Sequence, residues 1–490
     1  MDFLFAVLMG LYILALFGLG LFGIHKYVLI FRHYKYSKLS VDSPPMPENW
    51  PEVLIQLPIF NEKYVLKRLI KAVVQINYPK DKLRIQILDD STDNTSRLAA
   101  RLTNILVSKG VQIEHVRRPN RVGFKAGALE YGLNNSNEEF IAVFDADFVP
   151  ESDFLKKTIP HLVSNKEVGM VQARWGHLNL NYSLLTKLQG CFLDAHFLIE
   201  HFTRNRSGKF FNFNGTAGIW RRQAIVDAGG WQHDTLTEDL DLSYRSQLAG
   251  WKFIFLPDVI APAELPVDMN AYKSQQHRWA KGSVQTAIKL LPLVLKSKLP
   301  LAVRIEALLH LGSNFAYLLM AVPAFLLIPM LNLQVMLSVK WTILPYLVMF
   351  FAATLSVINY YAYTLKLVHK KLWPHIIYVP ALMGLGIGLS VNNGKAVIEA
   401  LMGIKTDFLR TPKFKIESQK DTWKKKTYKP PASRVHFIEL LLALYFTAGM
   451  SYFFVNELYL SIPFFILFQF GYYYIAFSSF FQGSGSLRNK

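Results

Sequence analysis

Long apolar stretches constrain this chain more than any other feature of its sequence. Residues 3–24 contain no charged side chain and reach the roughly 20 residues that a helix needs to cross a bilayer. Between residues 40 and 300 no stretch is long and apolar enough to cross. Four later stretches are, at residues 307–331, 342–363, 437–455 and 458–481. The sequence therefore predicts an integral membrane protein with five spans and a large domain outside the bilayer.

Basic residues after the first stretch predict the orientation. The positive-inside rule assigns such residues to the cytoplasmic side, and four of them follow the stretch: Lys26, Arg32, Lys35 and Lys38. We therefore expect the N-terminus outside and the following domain in the cytoplasm. A signal peptide is the alternative, but Asp2 precedes the stretch without any basic residue, and no small-residue cleavage site follows it.

A glycine-rich stretch at residues 376–391 leaves a sixth span open as an alternative. That span would place the basic residues 405–434 outside, against the charge rule, so we interpret the stretch as a re-entrant or interfacial segment. The three consecutive lysines at 424–426 favour a solvated cytoplasmic loop beside anionic lipid over a nucleic-acid site.

Composition narrows the classes of partner. The net charge of +19 suits membrane lipids and phosphorylated substrates, and its placement gives no reason to expect a nucleic-acid partner. A single cysteine, Cys191, excludes an internal disulfide and a four-cysteine zinc site.

The sequence after the first predicted span predicts an α/β domain. Short β-rich runs at 53–57, 84–89, 111–116 and 141–145 alternate with amphipathic helical stretches at 64–75 and 95–109. This alternation predicts a parallel sheet. In open sheets of this kind, ligands bind beyond the carboxyl ends of the strands, so the residues that end each run are the candidates for a site.

Carboxylates follow two of the predicted strands. Asp89 and Asp90 end the second run, and Asp145 and Asp147 follow the fourth, separated by one residue. Two such carboxylates leaving a strand can bind one hard divalent cation, Mg²⁺ or Mn²⁺, which would bridge to a diphosphate. A solvated acidic turn is the alternative, and an isolated pair of this spacing is more often only that.

Two further candidates lie in the same domain. Lys125 is expected to contact a phosphate, since glycines on either side of it permit close backbone approach, although a basic surface loop explains it nearly as well. Glu238 and Asp239 precede a helical stretch, where the helix dipole keeps a carboxylate ionised and able to accept a proton from a hydroxyl. Helix capping alone would explain both equally well.

A basic amphipathic stretch at 271–299 carries three more candidates, Gln275, Arg278 and Trp279. Helical spacing places them together on one face. The arginine and the glutamine can bind a diphosphate, and the indole offers a flat surface to a sugar ring. The alternative is an interfacial helix with a tryptophan facing lipid.

Taken in order, the motifs QLPIFNE, DDSTD, DAD, FNGTAGIWR, TED and QQHRW over residues 52–282 resemble those of the inverting family 2 glycosyltransferases, which have a GT-A fold. VQARW together with FNGTAG is similar to the cellulose-synthase-like branch that includes (gluco)mannan synthases. The resemblance implies that Asp89 and Asp90 contact the nucleotide, Asp145 and Asp147 bind the metal, and Asp239 is the base. It also implies that Gln275, Arg278 and Trp279 hold the diphosphate and the terminal acceptor sugar.

The resemblance extends to two further segments. Four residues match the part of the family that lines the acceptor path: Phe213, Asn214, Gly215 and Thr216. The sequence FLRTPK resembles the F-x-V-T-x-K gating loop of cellulose synthases and contributes Phe408, Thr411 and Lys413, with Arg410 in place of the valine. The cyclic-dinucleotide-binding domain of some bacterial cellulose synthases and the plant-type zinc finger are not found, so those routes of regulation are not expected.

Together these features predict a domain organisation and a function. We expect a first span with a basic flank (1–38), a Rossmann-like GT-A domain (39–266), interfacial helices (267–306), a pair of spans (307–364), a re-entrant segment with a gating-type loop (365–436) and a final pair (437–490). The resemblance implies an inverting, processive hexosyltransferase that uses UDP-glucose or GDP-mannose to extend a β-linked glucan or mannan and move it across the membrane.

Two alternatives stay open from the sequence. A non-processive enzyme would transfer a single sugar to a lipid, as ceramide glucosyltransferases carry a similar set of motifs. A non-catalytic membrane transporter or scaffold would make the acidic clusters incidental surface charge.

Overall fold

The computed structural model describes residues 2–39, 43–337, 344–406, 408–429, 435–455, 459 and 462–483. The first residues of the spans expected at 342–363 and 458–481 lie outside these ranges, as do residues 430–434 of the basic loop.

One seven-stranded sheet forms the centre of the domain outside the bilayer. Its strands are β1 (Val53–Ile59), β2 (Leu83–Asp89), β3 (Ile113–Val116), β4 (Phe140–Val143), β5 (Val168–His177), β6 (Gly218–Arg221) and β7 (Lys252–Ala263). Their order is β3-β2-β1-β4-β6-β5-β7. The predicted α/β class is confirmed.

The predicted parallel arrangement of the first four strands is confirmed, although the complete sheet is mixed. Strands β1 to β4 pair in parallel, as does β5 with β7, but β6 is antiparallel to both of its neighbours. Because β6 runs the other way, the residues before it, rather than those after it, lie at the edge where β1, β2 and β4 end. This reversal brings the FNGTAG motif to the same edge as the acidic motifs.

Strand β1 lies inside the sheet and is buried along its whole length. Val53, Ile55 and Leu57 pack into one apolar cluster, whereas Leu54 packs into a second cluster. A strand covered on both faces reads as a continuous apolar run, and this is the reason the sequence VLIQL was recognisable.

Helices cover the sheet and continue into an apolar bundle. The first helix of the chain is α1 (Asp2–Tyr36), which precedes the sheet domain. The helices of the sheet domain are α2 (Leu66–Val74), α3 (Thr95–Val107), α4 (Phe124–Asn134), α5 (Phe154–Ser164), α6 (Leu184–Ala195), a π-helical turn (His196–His201), α7 (Phe202–Arg206), α8 (Arg222–Asp227) and α9 (Glu238–Leu248). The remaining helices are α10 (Met269–Lys296), α11 (Leu301–Leu311), α12 (Phe315–Leu337), α13 (Leu344–His369), α14 (Tyr378–Gly388), α15 (Ser390–Leu401), α16 (Val435–Val455) and α17 (Ile462–Gly483).

Two helices in the described part of the chain are long and apolar enough to cross a membrane, over Ala6–Tyr36 and Ile462–Gln482. Two bent pairs also qualify if each is a single span. These are Leu301–Leu311 with Phe315–Met330, bent by 54°, and Trp373–Gly388 with Ser390–Leu401, bent by 42°. The first bend lies inside the span expected at 307–331. The second lies inside the stretch 376–391, which we interpreted as re-entrant or interfacial. These helices fit a membrane-anchored protein.

A buried carboxylate joins the sheet domain to the bundle. Glu306 of α11 pairs with His25 (3.0 Å) and Arg32 (2.6 Å) of α1 and with Arg204 (3.2 Å) of α7. Breaking one partner of a buried ion pair costs about 3–5 kcal/mol, so this cluster fixes the position of the domain on the helices.

Candidate active site

A cavity of about 450 Å³ lies at the carboxyl ends of β1, β2 and β4, enclosed further by α9, α10 and residues 408–413. Ligands of open α/β sheets bind at this edge. Most of the predicted site residues line the cavity: Asp90, Lys125, Asp145, Asp147, Asn214, Gly215, Glu238, Asp239, Gln275, Arg278, Trp279, Phe408, Thr411 and Lys413. Asp89, Phe213 and Thr216 are buried outside its lining.

The paired carboxylates after β4 each have a lysine partner. Asp145 pairs with the Lys125 ammonium group, and its backbone N–H donates to Thr216 Oγ1 at 2.9 Å. Asp147 is buried and accepts a hydrogen bond from Lys413 Nζ at 2.7 Å. The two acids therefore face the cavity with cationic groups on their oxygens.

A divalent cation would have to share these two acids with another ligand. Among the residues that the structure describes, no three His, Cys, Asp or Glu side chains lie close enough to hold a metal ion by themselves. Mg²⁺ prefers about six oxygen ligands and usually takes several of them from water and substrate phosphates. Asp145 and Asp147 therefore fit a metal that a diphosphate accompanies.

The two acids after β2 differ in their surroundings. Asp90 lines the cavity and accepts two hydrogen bonds from the Arg118 guanidinium, at 2.8 and 2.6 Å. The Asp89 carboxylate instead accepts from His115 Nε2 and the Ser91 backbone N–H, both at 2.8 Å. Burial alone would raise the pKa of Asp89, but these hydrogen bonds lower it below its usual value. Asp89, predicted to contact a donor, thus does not line the cavity and serves to shape the turn after β2.

Helix α9 begins at Glu238, and both Glu238 and Asp239 line the cavity. Burial and the neighbouring Glu238 charge raise the pKa of Asp239 to about 7, while Lys125 lowers it. A carboxylate with a pKa close to the working pH is suited to accepting a proton. Asp239 Oδ1 also accepts a hydrogen bond from the Leu240 backbone N–H at 2.8 Å, so its carboxylate contributes to the start of the helix as well.

Two glycines allow the close approaches on which this arrangement depends. Gly215 has φ +81°, and a Cβ added to it would lie 2.9 Å from Asp239 Oδ2. A Cβ added to Gly282 of α10 would lie 2.6 Å from Thr237 Cγ2. Side chains at these positions would push the FNGTAG segment and α10 away from the start of α9.

The three predicted residues of α10 all face the cavity. The Arg278 guanidinium lies 4.4 Å from the centre of the Phe408 ring and donates to Leu409 O at 3.2 Å. The Trp279 indole lies 6.5 Å from that of Trp175, measured between ring centres. Trp279 therefore lines an aromatic wall of the cavity rather than a surface facing lipid.

Residues 408–413 dock on the sheet edge from far along the chain. Arg410, which stands where the resembling family has valine, donates to Phe60 O at 2.6 Å and pairs with Glu62 at 3.2 Å. Burial raises the pKa of Glu62 to about 7, and Arg410 lowers it. Lys413 also donates to Glu264 O at 3.2 Å. The loop thus closes the side of the cavity formed by β1.

Two of the four residues predicted on the acceptor path line the cavity, and two do not. Asn214 and Gly215 line the cavity, but Phe213 is fully buried and packs against Trp220 with ring centres 5.6 Å apart. The Phe213 ring therefore does not line the cavity, and its role on the acceptor path stays a prediction. Thr216 is also buried and supports the backbone of Asp145 instead.

Several lining residues were not among the predicted candidates, and Glu264 and Trp175 are two of them. Glu264 follows β7 and pairs with Arg68 at 3.3 Å while accepting from the Phe414 N–H at 2.8 Å. The rule used for Asp145, an acid at the end of an apolar strand, would have found it. Trp175 in β5 was noted only as part of a motif, since nothing local predicts that α10 brings a second indole to it.

A family model matches the domain that contains the sheet. Residues 51–282 match the model of the family described as glycosyltransferase like family 2. These residues, which include the sheet and the first half of α10, are similar to the family 2 glycosyltransferases.

Curated relatives narrow the likeness further. The chain is 43% identical over 271 residues to glucomannan 4-β-mannosyltransferase 2 of Arabidopsis thaliana. The aligned residues make up 54% of this chain and 51% of the relative. It is 38% identical over 351 residues to glucomannan 4-β-mannosyltransferase 1 of Cyamopsis tetragonoloba, covering 68% and 65%. The match thus spans about half to two thirds of these relatives.

A solved structure shares the fold. The mannosyltransferase PcManGT from Pyrobaculum calidifontis, in complex with GDP-Man and Mn²⁺, superposes with a TM-score of 0.54 over 81% of this chain and 100% of that protein. The identity is 20%, so this likeness establishes the GT-A fold alone.

Proposed function

We propose that the protein is an inverting β-glycosyltransferase that transfers hexosyl units, mannosyl above all, from a nucleotide sugar to a β-linked glycan of the mannan or glucomannan type. One observation carries the proposal: Asp90, Asp147, Asp239 and Trp279, far apart in the sequence, line a single cavity at the ligand-binding edge of a GT-A sheet. A scaffold or transporter would give no reason for this convergence.

Asp239 acts as the general base in this reaction. Its raised pKa, caused by burial and by Glu238, leaves a proton-accepting carboxylate near neutral pH. It removes the proton of the acceptor hydroxyl as the oxygen attacks the anomeric carbon. A single displacement inverts an α-linked donor, so the new linkage is β.

Cationic residues of the cavity stabilise the leaving diphosphate. Lys125, Arg278 and Lys413 all line the cavity, and two of them already pair with the D-x-D carboxylates. Preorganised charge of this kind lowers the barrier where negative charge develops. Asp145 and Asp147 would hold Mg²⁺ or Mn²⁺, which when bound supplies Lewis-acid stabilisation to the diphosphate.

Trp279 and Trp175 provide the sugar-binding wall. Aromatic faces stack on sugar rings without fixing one register, which suits an acceptor that advances by one unit after each transfer. A second cavity of about 340 Å³ lies among the helices of the bundle and shares Glu200, Asn314 and Tyr317 with the first. We propose that the growing chain leaves through this second cavity, with the sheet domain on the cytoplasmic side.

The donor is the least constrained part of the proposal. The curated relatives are named as mannosyltransferases and the structural neighbour holds GDP-Man, so we favour GDP-mannose, with UDP-glucose as the second candidate. The same cavity would serve a single transfer to a lipid.

The test uses purified full-length protein in detergent or nanodiscs with labelled GDP-mannose and UDP-glucose, each with a manno-oligosaccharide acceptor. We expect nucleoside diphosphate release and a polymer that β-mannan-specific or mixed-linkage hydrolases digest. A product with one added sugar on a lipid would replace polymer synthesis by single transfer, and no diphosphate release from any donor would refute a transferase.

A further inference from the structure

The wall of the cavity beside Asp239 contains buried polar atoms that lack a partner. Within the described part of the chain, Asn214 Oδ1 and Trp175 Nε1 are buried and accept or donate no hydrogen bond. Both residues line the cavity. Leaving a buried amide oxygen or indole N–H unpaired is unfavourable, and where such an atom belongs to a cavity-lining residue a ligand can supply the missing partner.

The Asn214 amide has a fixed orientation. Its Nδ2 lies 2.9 Å from His196 Nε2, and its backbone N–H donates to Gln172 Oε1 at 3.0 Å. The amide nitrogen can only donate, so His196 Nε2 accepts and the imidazole proton resides on Nδ1. This bond points Asn214 Oδ1 away from the histidine.

Glu200 completes the chain of contacts behind the histidine. Its carboxylate lies 3.3 Å from His196 Nδ1 and accepts from Arg204 at 3.3 Å and from the Tyr360 hydroxyl at 3.1 Å. The π-helical turn carries both His196 and Glu200, and π-helical turns often occur at functional sites. An acid on Nδ1 stabilises the tautomer that the asparagine needs.

The position of Asn214 relates this chain of contacts to the reaction. The next residue, Gly215, has no side chain, and its Cβ position would lie 2.9 Å from Asp239 Oδ2. The backbone next to Asn214 thus lies beside the base, and Asn214, Asp239 and Trp175 line the same cavity. A carbonyl oxygen there accepts a hydrogen bond from a hydroxyl group.

We infer that His196 is a positioning residue for the acceptor: held by Glu200, it orients the Asn214 amide so that Oδ1 accepts a hydrogen bond from a hydroxyl of the terminal acceptor sugar. This inference rests on the proposed glycosyl transfer and adds the residues that align its acceptor. Trp175 Nε1 offers a donor to the same sugar.

The test compares His196→Phe, which keeps a ring but removes both nitrogen atoms, with His196→Gln, whose amide oxygen can still accept from Asn214 Nδ2. Three quantities are measured on the full-length protein: KM for a manno-oligosaccharide acceptor, donor hydrolysis without acceptor, and Kd for the donor. For His196→Phe we expect an acceptor KM raised about threefold to tenfold, the range for one lost neutral hydrogen bond, with the other two quantities unchanged. His196→Gln should recover most of the loss.

A matched control separates positioning from packing. His161 in α5 is also buried but does not line the cavity, so His161→Phe should leave the acceptor KM unchanged. An unchanged acceptor KM in His196→Phe, or donor hydrolysis falling in step with transfer, would overturn the positioning role. If His196→Phe does not fold, Asn214→Leu removes the accepting oxygen directly and must raise the acceptor KM at least as much.

The measurements distinguish a failure of the proposed glycosyl transfer from a failure of the positioning role of His196. A wild-type protein that hydrolyses no nucleotide sugar would refute the transferase and this inference with it. Normal donor hydrolysis together with an acceptor KM that ignores His196 would refute the positioning role alone.

Discussion

The ionisation of Asp239 should set the acidic limb of the pH profile for transfer. Burial and Glu238 raise its pKa to about 7, and only the ionised form can accept the hydroxyl proton. The active fraction is then about one tenth at pH 6 and about nine tenths at pH 8. The rate should therefore rise about tenfold between these two values and level off above them.

Neighbouring charges should move this limb in opposite directions. Glu238 raises the pKa of Asp239 by repulsion, so Glu238→Gln should shift the limb to lower pH. Lys125 lowers the same pKa by attraction, so Lys125→Met should shift the limb to higher pH, in addition to weakening the donor contact. Asp239→Asn removes the base and should lower the rate by about 10²–10⁴ while donor binding stays measurable.

The assay follows nucleoside diphosphate release with saturating acceptor from pH 5.5 to 9 and extracts kcat/KM for the donor at each pH. Buffers of constant ionic strength are needed, since screening changes the coupling between the charges. A limb that persists in Asp239→Asn, or one that moves to higher pH in Glu238→Gln, would refute the assignment of Asp239 as the base.

Three further predictions concern other parts of the site. Asp147→Ala should abolish both donor hydrolysis and transfer, measured as diphosphate release with and without added Mn²⁺; wild-type activity that persists in excess chelator would contradict a metal role. Gly282→Ala places a Cβ 2.6 Å from Thr237, so it should destabilise the protein by about 1–3 kcal/mol and slow transfer. Gly20→Ala is the control: no atom lies within 4 Å of its Cβ position, so the variant should leave the melting temperature unchanged. Trp279→Ala should shorten the polymer, as seen by gel filtration of labelled product, and leave donor hydrolysis; products of undiminished length would exclude it as the sugar platform.

The sequence was informative where local pattern and chemistry coincide. Strand β1 was recognisable because a strand buried on both faces is apolar throughout, and Asp145 and Asp147 because an acid at the end of such a strand is unusual. The helix predicted directly after Asp239 is present as α9, which begins two residues earlier, at Glu238.

Other features depend on residues that are distant in sequence. The pKa of Asp239 depends on burial by α10 and on Lys125, more than 100 residues away. The bend between α11 and α12 falls at Gly312, Ser313 and Asn314, a short turn-type sequence that we included within one continuous span at 307–331. Phe213 belongs to a motif associated with the acceptor, yet its ring is in the core.

The sequence by itself determined the α/β class of the domain, the apolar stretches, and a set of candidate site residues most of which line the cavity, because each of these is encoded in a run of a few neighbouring residues. Only the tertiary structure decided how they meet. The segment that leads into the antiparallel β6 brings Gly215 beside Asp239, and the loop carrying Lys413 reaches Asp147 across 266 positions. Such contacts are set by the packing of whole elements against one another, and no local pattern of residues specifies them.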